Sequence, residues 1–185
     1  MELIKGKNYD GNAFLKLVYK DLSTQEKFRE IAAFGPRYSL RGYQQEFIVK
    51  FFAFYDLYKQ NKKIALKVLL IEHLQDVIEK QGESCKDVKH VGVLRQRFEK
   101  TVDFIVEHDL IDREQYKQKK KEKLLPIMLA VALYLDGTHQ SESSNIQDSQ
   151  IWTSEFEKRA NEATLSSLSA NVAHVLSQLC SSKCS

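Results

Sequence analysis

A chain of 185 residues with 43% hydrophobic content can fill one core of ordinary size, so one domain is expected rather than two. Its +3 net charge at pH 7 argues neither for a dedicated nucleic-acid binder nor against a local basic patch. Seven glycines and two prolines are too few breaks for the many tight turns of an all-β fold, and they favour long helices.

In chain order, residues 1–11 lack a sustained period and read as a lead-in, with Asn12 placed to cap a first helix. Phe14, Leu17 and Val18 make a short helical face ending near Leu22. Ser23-Thr24-Gln25-Glu26 has the form of a capping box opening a second short helix with Phe28 and Ile31, which Gly35-Pro36 stops.

Residues 43–58, YQQEFIVKFFAFYDLY, are the stretch the rest must bury. As a helix they place Phe47, Phe51, Phe54, Tyr55 and Tyr58 on one wide apolar face, with Phe52 and Tyr43 at its margins. Burying each such side chain contributes on the order of 1.5–3 kcal/mol, so this face should dominate the core. Residues 64–80 form a broad-faced helix that Gly82 is expected to end, and Ser84-Cys85-Lys86-Asp87 is expected to open the next, running to about His108 with Val88, Val91, Phe98, Val102 and Ile105 at helical spacing.

A polar stretch comes next, in which Lys117, Lys119, Lys120, Lys121 and Lys123 crowd together. Leu124-Leu125-Pro126 then opens an apolar helix to Leu135, with Pro126 in its first turn; the run is too short to cross a bilayer, which takes about 20 residues. Residues 136–149 read as a polar surface loop, and 150–180 as a last helix with a narrower stripe that starts at Trp152 and Phe156.

The line Gln45-Glu46-Phe47-Ile48-Val49-Lys50-Phe51-Phe52-Ala53-Phe54-Tyr55, followed by Tyr58-Lys59, resembles a Q-E-L-x-L-R-F-x-A-F pattern of one bacterial family. That family is the domain of unknown function that includes the S half of GmrSD-type, modification-dependent restriction enzymes. The stretch Lys123-Leu124-Leu125-Pro126-Ile127-Met128-Leu129-Ala130-Val131-Ala132-Leu133 is similar to its second helical signature. The resemblance covers residues 14–135 and implies an all-helical region whose chemistry sits elsewhere, in a ParB/sulfiredoxin-like N-terminal domain with a D-G-Q-Q-R-type motif. That motif does not occur in this sequence; Arg41-Gly42-Tyr43-Gln44-Gln45 lacks both its acid and its arginine. The resemblance therefore implies the helical part without its enzyme, and no catalytic residue is expected.

No metal or cofactor is expected either, since the five histidines show no paired ligand spacing and none neighbours a cysteine as a ligand would. Three cysteines and no leader pattern at the start point to the reducing cytoplasm. The pairs Glu72 with Asp76 and Glu79 with Glu83 read more simply as solvated acids than as a general acid and base. Of the lysine run, two readings stand: a solvated face, or a DNA backbone contact through Lys117, Lys119, Lys120, Lys121 and Lys123.

The expected architecture is all-α, an irregular bundle of about six or seven helices around the aromatic one. Residues 1–135 form the core domain, 136–149 the loop, and 150–180 a helix packed on the core or on a partner. The expected function is a non-catalytic helical module of a DNA-targeting, restriction-like phage-defence system, docking a nuclease or NTP-binding subunit. The alternative is a stand-alone protein-interaction or regulatory protein with no nucleic-acid role. A catalytic partner, DNA through the lysines, or a second copy as a homodimer are the expected partners, and a membrane is not among them.

Overall fold

The aromatic stretch forms one uninterrupted helix at the centre of the core. The computed structural model describes residues 12–32, 42–59, 67–111, 121–141 and 166–181. In chain order the helices are α1 (Ala13–Lys16), continued by a π turn (Leu17–Leu22), then α2 (Glu26–Ala32), α3 (Tyr43–Lys59), α4 (Lys67–Ser84), α5 (Val88–Glu107), α6 (Lys121–Ser141) and α7 (Ser166–Ser181). The described residues contain no strand, and the fold is all-α.

Helix α3 is buried on more sides than one face can account for. Ile48, Val49, Phe51, Phe52, Ala53, Phe54, Tyr55 and Leu57 are all buried, while Phe47 and Tyr58 are only partly so. The expected single face is thus corrected: Phe52, placed at its margin, is fully buried, and the two ends of the stripe sit at the edge of the core. The reason is that α3 meets the π turn, α4 and α6, so few of its directions are left to water.

Aromatic contacts bind these layers. Phe51 and Phe52 meet Phe98 of α5 at 5.8 and 6.3 Å between ring centroids, Phe52 meets Phe14 of α1 at 5.8 Å, and Phe28 of α2 lies 5.9 Å from Phe47 and 5.1 Å from Phe98. The Phe14–Phe52, Phe28–Phe98 and Phe51–Phe98 pairs are edge-to-face, a geometry that adds about 0.5–1.5 kcal/mol each beyond the area buried. Helix α6 is enclosed in the same way, with Met128 through Leu133 all buried because α3, α5 and α7 each pack against it. Helix α7 contributes a one-sided stripe, Val172, Leu176 and Leu179, docked on α6. Residues 150–165 lie outside the described residues, and so do the Gly35-Pro36 stop and the remainder of the 136–149 stretch beyond Ser141.

Local signals at helix ends are where expectation and structure part most often. Asn12 does cap α1, accepting from the Leu15 amide at 3.1 Å. The Ser23-Thr24 hydroxyls, by contrast, do not cap α2; they donate backwards, Ser23 to the Tyr19 carbonyl at 3.0 Å and Thr24 to the Lys20 carbonyl at 2.8 Å. The π turn widens the spacing so that the Ser23 amide bonds the Val18 carbonyl at 3.0 Å, and the hydroxyls take up carbonyls left over by it. Helix α5 is capped not by Ser84, whose hydroxyl bonds the Lys80 carbonyl, but by Asp87, whose carboxylate accepts from the Lys89 amide at 2.9 Å. It ends in a Schellman turn at Asp109 (φ 47), with the Leu110 amide on the Ile105 carbonyl at 3.1 Å. Pro126 lies in the second turn of α6 because residues 121–123 join the helix ahead of it. At the other end, α6 runs through Asp136 to Ser141 where a loop was expected.

Gly82 is also not a stop. It lies inside α4, buried, and a Cβ there would come within 2.4 Å of the Asn12 side-chain nitrogen. That side chain caps α1 and donates to the Ile78 carbonyl at 3.2 Å, so the glycine is a contact point between α1 and α4. Gly92 in α5 has nothing near its missing Cβ. Gly92→Ala should therefore stabilise by about 0.5–1 kcal/mol, the ordinary gain of alanine in a helix, while Gly82→Ala should lose that gain and destabilise by displacing the cap. Equilibrium urea unfolding reads both; a Gly82→Ala variant as stable as Gly92→Ala would show that the contact with Asn12 costs nothing to give up.

Candidate functional site

A set of polar side chains from three helices converges at the C-terminal end of α3. Tyr55 and Lys59, one turn apart, share a side of that helix; α5 brings Arg97 and α6 brings Asp136 to meet them. The Tyr55 hydroxyl donates to the Asp136 carboxylate, the Lys59 ammonium lies 3.1 Å from the same oxygen, and Arg97 Nη2 lies 3.9 Å from it. The Arg97 guanidinium sits over the Tyr55 ring, 4.4 Å from its centroid, an arrangement that attracts a cation to the ring's negative face. Its Nε is buried and has no hydrogen-bond partner among the described residues.

Beside this lies a second link. Gln81 of α4 donates to Asp56 of α3 at 2.9 Å, and its carbonyl oxygen takes His90 Nε2 at 2.7 Å, which fixes that ring nitrogen as the donor. The two sets hold α3 to α4, α5 and α6 at one end of the bundle.

Burial pushes the Tyr55 phenol far above its usual range; the hydrogen bond to Asp136 raises it further and Arg97 opposes the shift. Tyr55 is thus a neutral donor at any physiological pH. A phenol whose pKa is higher in the folded than in the unfolded chain contributes stability that is complete below the unfolded value of 10.0 and is lost as pH climbs above it. Wild-type protein should lose stability above about pH 10 with a slope of up to about 1.4 kcal/mol per pH unit from this group, and Tyr55→Phe should remove that component. Urea midpoints measured from pH 8 to 11 check it; parallel curves for the two proteins would refute a buried Tyr55.

Of the core residues expected from sequence, Phe51, Phe54 and Tyr55 are buried, and Phe47 and Tyr58 partly buried. Lys117, Lys119 and Lys120 fall outside the described residues, and Lys121 and Lys123 begin α6 without described side chains. Trp152 and Phe156 also fall outside. Among the described residues no group of three or more His, Cys, Asp or Glu could hold a metal ion. Cys85 is a buried free thiol whose pKa burial pushes up to about 11, which makes it a poor nucleophile. No described helix is long and apolar enough to cross a membrane.

Sequence reasoning missed Arg97, Asp136 and the role of Lys59. One signal was present: Asp136 directly follows the apolar run Leu124 to Leu135, where a charge needs a partner. Compared with protein-family models, curated proteins and solved structures, the chain finds no match in any of the three.

Proposed function

We propose that this chain is a non-catalytic helical module of a DNA-targeting, restriction-like defence system, and that it works by docking a nuclease or NTP-binding partner. One observation carries the reading. The two stretches that resemble the family's helical signatures, within residues 45–59 and 123–133, lie far apart in the chain yet form α3 and α6, which pack on each other as the heart of the core. A resemblance spread over two separate segments that meet in space is what a shared packed unit would produce. The polar side chains at the end of those helices bind one another, which suits a clamp holding the module together.

The purified chain should hydrolyse no NTP and cut no DNA by itself, and should co-elute with a protein bearing a D-G-Q-Q-R-type motif encoded beside it, at the summed mass by light scattering. Turnover by the chain alone that disappears on a single substitution within it would overturn the reading. The DNA contact has its own test by fluorescence anisotropy. Affinity should fall with salt, and changing Lys119, Lys120 and Lys121 to Gln should flatten the log–log slope by up to about 3. Absence of binding at low salt would remove DNA from the proposal and leave the protein partner.

A further inference from the structure

Helix α5 turns one side to water, and the first two turns of that side are apolar. Among the described residues the exposed large hydrophobics are Val88, 83% exposed, and Val93, 49% exposed. Both stand on α5, and between them lies Gly92, itself exposed, with nothing within 4 Å of the place its Cβ would take. A glycine inside a helix weakens it, and the fold gives no reason for this one: a side chain at Gly82 would meet Asn12, whereas a side chain at Gly92 would meet only solvent. A bare stretch of helix backbone flanked by two exposed valines is what the close approach of a second helix requires.

We infer that this face of α5 pairs, antiparallel and about a two-fold axis, with the same face of a second copy of the chain. The face is complementary to itself. Val88, Gly92 and Arg95 follow at i, i+4 and i+7 and so make one stripe, with Val93 flanking the glycine. A two-fold axis crossing α5 at His90 has Val88 and Gly92 equally far from it on either side, so Val88 of each copy enters the notch at Gly92 of the other.

Charge agrees with the same axis. The Glu83–Lys86 ion pair, 75% and 72% exposed, lies just before α5, and the Asp21–Arg95 pair, nearly half exposed, lies just beyond Gly92. Antiparallel pairing sets one of these against the other across the rim, Lys86 towards Asp21 and Glu83 towards Arg95, so that opposite charges face each other twice. Area limits the affinity. Stable specific interfaces bury about 1,200–2,000 Å² in total, more than one pair of crossing helix faces supplies, so the dimer is weak and reversible. The inference goes beyond the proposed function and does not depend on it.

Sedimentation equilibrium of the purified full chain, from about 10 μM to about 1 mM, provides the test. The weight-average mass should climb with concentration from the 21.5 kDa of one chain towards twice that value. Gly92→Gln fills the notch and Val88→Glu sets a charge against the other copy's backbone; each should weaken the dimer at least about tenfold. Both positions are exposed, so neither variant gives up core contacts, and Gly92→Gln should raise the urea midpoint of the dilute monomer because glutamine is the better helix former. A chain that stays monomeric at about 1 mM would overturn the inference, whether or not a different protein covers the face, and so would a dimer that survives both substitutions.

Discussion

Replacing Phe51 with alanine is expected to lower the free energy of unfolding by about 3–5 kcal/mol. Phe51 is fully buried at the middle of α3, with ring neighbours on two helices: Phe52 at 5.1 Å and Tyr55 at 6.4 Å on its own, and Phe98 of α5 at 5.8 Å. Truncation removes the transfer energy of the ring and leaves a cavity between two helices whose spacing is fixed by the remaining aromatics, so collapse can recover little. Phe47→Ala supplies the comparison. That ring is only partly buried at the edge of the core and touches Phe28 at 5.9 Å, so its loss should cost roughly half as much. Urea unfolding of the two variants and wild type measures the difference; equal midpoints for Phe51→Ala and wild type would refute the placement of α3 at the centre.

Asp136→Ala should cost about 2–3 kcal/mol, more than an ordinary surface carboxylate. The substitution strands the buried Tyr55 hydroxyl and leaves Lys59 and Arg97 close together with no anion between them. Breaking a fully buried pair in this way costs about 3–5 kcal/mol, and a cluster that is a quarter to a third exposed falls below that range. Asp136→Asn keeps an acceptor for Tyr55 and removes only the charge, so its cost should be smaller. The control is Asp21→Ala at the Asp21–Arg95 ion pair, where both side chains are nearly half exposed and the loss should stay within about 1 kcal/mol. Urea unfolding of the three variants compares them; an Asp136→Ala protein no less stable than Asp21→Ala would mean that the clamp contributes nothing.

The helices themselves were legible in the sequence because their signal is local. Apolar positions repeating at 3.6 residues mark α3 and α5 whatever surrounds them, and the polar breaks between them set the order of elements. What only the tertiary structure decided is how those helices end and what their polar side chains do. Gly82 reads as a terminator until the Asn12 amide is seen against it, and Ser23 reads as a cap until the π turn behind it supplies carbonyls to bond. Asp136 reads as the start of a loop, since an acid, a glycine and a run of polar residues carry no helical period. Yet α6 continues through it, because Tyr55, Lys59 and Arg97 meet its carboxylate from two other helices. Tyr55 and Asp136 stand 81 residues apart, and a pairing across that separation leaves no trace in the pattern of either segment. Periodicity reports which side of a helix avoids water, whereas the partner of a buried charge is set by which helices pack together, and that is a property of the assembled core.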